Sequence, residues 1–172
     1  MVVATRPRMR ILVAEEDREE ADILSLLLDV EGHRSAVAYD GKRALQLAQQ
    51  MRPDAVLLDL RLAEVNGLDL CRQLRAQAPP YQPPVIIFTG HLRPQDIAAS
   101  RIAAADGYLA KPAVPDKLLA VLDRIVAARK AMLVALRRRS TEPAMLRAAA
   151  RSEAVGFQRV DHPAPSDALI RG

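Results

Sequence analysis

Aromatic side chains make up only 3% of the 172 residues, so aliphatic side chains and alanine must fill any core. There is one cysteine, Cys71. A single thiol excludes an internal disulfide framework and a cysteine-based metal site, and it suits a reducing cytoplasm. Long hydrophobic runs are missing too. After Arg6, Arg8 and Arg10 the apolar stretch is only Ile11-Leu12-Val13-Ala14. A signal peptide needs more, and no run approaches membrane-spanning length. A soluble, cytoplasmic protein with no membrane contact is expected. The three histidines, His33, His91 and His162, share no spacing that suggests a metal site.

What is present is an ordinary globular balance, 50% hydrophobic and 27% charged, in a length suited to one domain with a short appendage. The net charge of +4 is unevenly spread. Residues 1–128 hold 16 Lys/Arg against 17 Asp/Glu, whereas residues 129–172 hold 9 against 4. The basic character therefore belongs to the C-terminal part and is no argument that the main domain binds nucleic acid.

Three continuous apolar runs, Ile11–Ala14, Ala55–Leu58 and Val85–Phe88, suit strands buried on both faces, as in a parallel sheet. Arg34–Ala38 and Gly107–Leu109 are weaker strand candidates. Helical patterns lie between them. Residues 18–30 place Ala21, Ile23, Leu24, Leu27 and Leu28 on one face, with Gly32 as the stop. Asp40 can cap a helix over 42–50 with Ala44, Leu45 and Leu47 inward. Residues 67–77 present Leu68, Leu70, Cys71 and Leu74, which makes Cys71 a core residue. Pro94 opens a helix to about Ala103, and the proline-rich stretch 79–84 must be a loop. Five β-α repeats imply a parallel sheet with helices on both faces and a site beyond the carboxyl ends of the strands.

Glu15, Glu16 and Asp17 follow the first apolar run, Asp59 the third, Thr89 the fourth and Lys111-Pro112 the fifth. Several carboxylates close together repel unless a cation joins them. An oxygen-only ligand set with open positions suits Mg²⁺. Mg²⁺ and a lysine ammonium both favour a phosphoryl group, for which a carboxylate can be the nucleophile and a threonine hydroxyl a hydrogen-bond partner.

Over roughly residues 8–128 this pattern resembles the receiver domain of two-component response regulators. The likeness rests on Ile11-Leu12-Val13-Ala14-Glu15-Glu16, on Leu57-Leu58-Asp59 with Asn66-Gly67, on Ile86-Ile87-Phe88-Thr89-Gly90, and on Asp106-Gly107-Tyr108-Leu109-Ala110-Lys111-Pro112. The spacings, 30 from Asp59 to Thr89 and 22 from Thr89 to Lys111, are typical of that family. The resemblance implies a flavodoxin-like, doubly wound α/β fold with a five-stranded parallel sheet in the order 2-1-3-4-5. It implies that Asp59 accepts a phosphoryl group from the phosphohistidine of a sensor histidine kinase or a phosphotransfer protein. Glu16, Asp59 and the backbone carbonyl of Arg61 would hold Mg²⁺, with Glu15 acting through water. Thr89 and Lys111 would hold the phosphoryl oxygens, and Tyr108 would be the aromatic switch that follows Thr89. The Lys111–Pro112 peptide would be cis. Such a protein is no enzyme beyond its own phosphorylation and dephosphorylation.

Two positions depart from the family pattern. The first acidic pair usually contains an Asp, whereas Glu15-Glu16 does not. Glutamate is one methylene longer and Mg²⁺ tolerates little distortion, so either metal binding is weaker or Asp17 contributes through a shifted register. Ala63 replaces a proline that often follows the phosphoacceptor, which predicts a looser loop. Plainer alternatives are an acidic cluster that merely stabilises a helix N-terminus, Tyr108 as a half-buried edge aromatic, and His91 as an ordinary loop residue.

The last helix is expected to start near Pro115-Asp116 and to run on, since Leu118, Leu122, Ile125, Met132 and Leu136 form a stripe interrupted at Arg129 and widened by Leu119, Val126 and Leu133. Residues 129–156 read as a basic helical extension, with Ser140-Thr141 capping a second short helix that ends near Gly156, and residues 157–172 as a mobile tail. A stripe beyond the domain edge predicts a homodimer through paired helices. Arg137-Arg138-Arg139 could touch DNA phosphates, but a solvated basic face is the preferred reading, so nucleic acid is not an expected partner. The reading is therefore a phosphorylatable receiver signalling through protein contacts, with a phosphorylation-independent pseudo-receiver and a small DNA-binding regulator as the alternatives.

Overall fold

A computed structural model describes residues 7–77, 82–90 and 93–140, with side chains as far as Leu136. The expected helix near 141–156, the tail over 157–172, the side chains of Arg137-Arg138-Arg139, His91, His162 and the prolines at 79 and 80 lie outside the described residues.

Five strands alternate with five helices: β1 (Arg10–Ala14), α1 (Arg18–Val30), β2 (Arg34–Ala38), α2 (Gly41–Met51), β3 (Ala55–Leu58), α3 (Gly67–Arg75), β4 (Val85–Thr89), α4 (Pro94–Ile102), β5 (Gly107–Ala110) and α5 (Pro115–Ser140). The strands form one parallel sheet in the order β2-β1-β3-β4-β5. This is the doubly wound, flavodoxin-like arrangement with a long C-terminal helix, as expected.

The apolar runs are continuous because alternate residues feed two separate cores. Leu12, Val56, Leu58 and Ile87 pack with Ala44 and Ala48 of α2 and with Leu70, Cys71 and Leu74 of α3. Ile11, Val13, Leu57 and Ile86 pack on the other face with Leu24 and Leu28 of α1 and with Leu118, Leu119 and Leu122 of α5. Cys71 is buried as expected, and its thiol donates to the carbonyl of Ala103 at 3.2 Å.

Local chemistry sets the helix ends. Asp17 caps α1 by accepting from the Glu20 amide, and Asp40 caps α2 by accepting from the Arg43 amide. Gly32, with φ +84°, turns the chain out of α1 in the left-handed region that glycine enters without cost. Ile23, expected to face inward, is 69% exposed. The core stripe of α1 is carried by Ala21, Leu24 and Leu28, and position 23 lies a third of a turn off it. The Ala63 loop is tied to the start of α2 by a parallel bridge between Asp40 and Ala63.

In α5, Leu118, Leu119, Leu122, Ile125 and Val126 are buried, whereas Met132 and Leu136 are about half exposed. Arg129 interrupts the stripe for a reason: its guanidinium donates to the side-chain carbonyl of Gln82 at 3.1 Å and lies 3.9 Å from Asp106. No helix among the described residues is long and apolar enough to cross a membrane.

Candidate functional site

Four strand ends converge at the carboxyl edge of the sheet. Glu15 follows β1, Asp59 follows β3, Thr89 ends β4 and Lys111 follows β5. β1, β3, β4 and β5 are successive neighbours, so these residues stand side by side. The strand order reverses between β1 and β3, where a crevice opens in folds of this kind. An open cleft of about 720 Å³ lies there, and its lining includes Glu15, Glu16, Glu20, Asp59, Arg61 and Lys111.

Lys111 is the hub. Its ammonium donates to Asp59 Oδ2 at 2.9 Å, to Glu20 Oε2 at 2.6 Å and to Glu15 Oε2. A lysine ammonium has three N–H donors, and each has a carboxylate partner. The ammonium also lies 5.5 Å from the centre of the Phe88 ring. The Lys111–Pro112 peptide that turns the chain here is cis, as expected.

Asp59 is held from several sides. Its Oδ1 accepts from the Arg61 amide at 3.2 Å, and the hydroxyl of Thr89, which is fully buried, donates to the same carboxylate. Burial opposes its ionisation, but the bonds from Lys111 and Thr89, the lysine charge and the Arg61 amide outweigh that and hold the carboxyl below its ordinary value. Glu15 is balanced the other way. Burial dominates and pushes its carboxyl up, despite the bonds from Lys111 and the Asp17 amide. For Lys111, burial favours the neutral amine, yet Glu15, Glu20 and Asp59 together hold it protonated well above its ordinary value.

Gly67 belongs to the site by exclusion. A Cβ there would run into the backbone carbonyl oxygen of Asp59 and lie 2.9 Å from the Cα of Leu60. Only glycine lets the start of α3 approach the Asp59 peptide so closely.

The structure thus brings Glu15, Asp59, Thr89 and Lys111 into one hydrogen-bonded group. Glu16 is exposed on the cleft wall beside it, and Arg61 reaches it through its backbone. Tyr108, on β5, is 41% exposed and does not line the cleft. Asp17 caps α1 through Oδ1 and also lines the cleft. The sequence reasoning missed Glu20. Its signal was the pair Asp17-x-x-Glu20, spaced like a helix-capping box whose second acid reaches back to the cap.

Among the described residues no three His, Cys, Asp or Glu side chains enclose a metal position by themselves. The donor chemistry is nonetheless that of a hard divalent cation. Glu15, Glu16, Asp59 and Arg61 line one open cleft, and their carboxylate and carbonyl oxygens suit Mg²⁺, which keeps several waters.

Known proteins resemble this chain. Residues 11–123 match the response regulator receiver domain family. The DNA-binding response regulator MtrA of Mycobacterium tuberculosis (strain ATCC 25618 / H37Rv) is 40% identical over 113 residues, which cover 66% of this chain and 48% of the relative. The response regulator MprA of Mycolicibacterium vanbaalenii is 38% identical over 112 residues, covering 65% and 48%. The chain therefore spans about half the length of the curated relatives it matches. Among solved structures, the BeF3-activated N-terminal receiver domain of Klebsiella pneumoniae RstA has a TM-score of 0.64 and 30% identity, covering 68% of this chain and 97% of that one. The chemotaxis response regulator CheY4 of Vibrio cholerae has a TM-score of 0.64 and 25% identity, covering 69% and 99%. The chain belongs to the response regulator receiver domain family of two-component signalling, and residues 11–123 are its receiver domain.

Proposed function

We propose that Asp59 is the phosphoacceptor of this receiver domain and that its phosphorylation is read out through protein contacts. One observation carries the reading: Asp59 is held ionised at the carboxyl edge of the sheet, 2.9 Å from the Lys111 ammonium, with the Thr89 hydroxyl on the same carboxylate. A carboxylate kept charged is a competent nucleophile toward phosphorus. It attacks the phosphoryl group of a phosphohistidine on a sensor histidine kinase or phosphotransfer protein, and the P–N bond breaks. Lys111 then pairs with the phosphoryl oxygens, and Thr89 donates its hydroxyl to one of them. Tyr108 follows Thr89 as the switch side chain. Glu16, Asp59 and the Arg61 carbonyl would hold Mg²⁺, with Glu15 acting through water; when bound, the ion neutralises charge on the phosphoryl oxygens. The only reaction catalysed is the gain and loss of the protein's own phosphoryl group.

The test is incubation with acetyl phosphate or phosphoramidate, with and without Mg²⁺, read by intact-protein mass. One Mg²⁺-dependent adduct is expected on the wild type and none on Asp59→Asn. An Asp59→Asn protein that still labels sinks the assignment.

Several features support the wider setting. The receiver occupies residues 8–128, and residues 129–172 form a basic extension to it. The chain acts in the cytoplasm and pairs with a second copy through α5, where Met132 is 53% exposed. The interaction-module alternative, without phosphorylation, is favoured by one observation, that the first acidic pair is Glu15-Glu16, without the aspartate that usually stands there. A DNA-binding role finds support in the description of the MtrA relatives and in the basic charge of residues 129–172.

A further inference from the structure

We propose that Glu20 is a positioning residue that occupies Lys111 in the unphosphorylated protein and is displaced by the incoming phosphoryl group. The inference rests on Asp59 being the phosphoacceptor.

The first observation is stoichiometric. The three N–H donors of the Lys111 ammonium meet three carboxylates, those of Glu15, Glu20 and Asp59. A phosphoryl oxygen gains a bond from Lys111 only if one carboxylate gives way. Asp59 carries the phosphoryl group and stays. Glu15 is 4% exposed and is also held by the Asp17 amide, so it has no path into water on release. The Glu20 side chain is 56% exposed, so on release it passes into water. Glu20 is the partner whose loss costs least.

The second observation explains why Glu20 is available. It is the third residue of α1, where a glutamate ordinarily bends back to accept from the cap residue's amide. The cap is half formed: Asp17 accepts from the Glu20 amide at 3.0 Å, but the Asp17 amide donates to Glu15 Oε1 at 3.1 Å. Glu15 has taken the bond that Glu20 would make, and the Glu20 carboxylate turns to Lys111 instead. The longer side chain at position 15 thus couples the start of α1 to the lysine.

The chemical step is unchanged. An Asp59 carboxylate oxygen forms the new P–O bond, the P–N bond of the donor breaks, and its electron pair leaves with the nitrogen, which takes up a proton from solvent. Glu20 acts before this, as an anion competing with the donor for Lys111.

The experiment compares the full-length wild type with Glu20→Gln, labelled by phosphoramidate at saturating Mg²⁺ over a range of donor concentrations and read by intact mass. The donor concentration for half-maximal rate should fall about three-fold in Glu20→Gln, the scale of an exposed ion pair, with the maximal rate unchanged and the gain shrinking at high salt. A half-maximal concentration equal to or above that of the wild type, with both proteins labelling, overturns the displacement alone. No label on either protein overturns the phosphoacceptor reading, and the displacement with it.

Discussion

At the scale of single residues, Lys111 balances the site. Glu15 and Asp59 are both buried and both face its ammonium. In Lys111→Met the two carboxylates lose their counter-charge, and breaking a buried pair from one side costs on the order of 3 kcal/mol. The pH dependence identifies the cause. In the wild type the bonds from Lys111 help hold Asp59 below its ordinary value of 3.8, so its contribution is present above that value and is lost as pH falls through the folded value. Without the lysine both carboxyls are raised, and the folded state binds protons that the unfolded chain does not. Lowering the pH from about 7 to about 5 should therefore raise the melting temperature of Lys111→Met relative to wild type. Calorimetry at the two pH values decides; a variant that tracks the wild type means the carboxylates are not held together by the lysine.

At the scale of elements, the site depends on how closely α3 approaches the end of β3. Gly67 opens α3 against the Asp59 peptide, with no room for a Cβ. The neighbouring atoms are backbone and cannot swing aside, so Gly67→Ala must push α3 away or bend the chain after Asp59. Overpacking of this kind costs about 1–3 kcal/mol. Urea unfolding should show that loss, and phosphoramidate labelling of Asp59 should slow as well. Normal stability with normal labelling would show that the approach is not required. The preceding residue, Asn66, caps α3 by accepting from the Leu68 amide at 2.8 Å. The pair Asn66-Gly67 thus has two separate physical reasons, one capping the helix and one admitting it to the site.

At the scale of the whole molecule, α5 runs on past the core it closes. Its first turns close one core of the sheet, and Arg129 is tied to Gln82. Met132 has no such burial. If copies pair through this helix, Met132→Glu places a charge in the shared seam and should lower the mass seen by light scattering toward that of one chain, with the receiver's melting unchanged. An identical mass for wild type and variant rules out a pair at that position.

Much of the fold was legible in the linear chain because its signals are local. Continuous apolar runs of four or five residues, each followed by an acid, hydroxyl or lysine, define buried parallel strands and the edge where the chemistry gathers. Asp59, Thr89 and Lys111 could be named for that reason, and so could the cap at Asp40 and the helix start at Pro94. What the tertiary structure alone decided are relations between distant residues. Ile23 matched the helical stripe by spacing but lies off the face that meets the sheet. Arg129 looked like a flaw in an apolar stripe until Gln82 and Asp106 were found opposite it. The acidic pair after β1 divides by side, with Glu15 buried on Lys111 and Glu16 facing solvent. Glu20 meets Lys111, 91 residues further along the chain. Periodicity reports which way a side chain faces within its own element. Which charge it meets depends on where the chain returns, and that is set by the packing of the sheet.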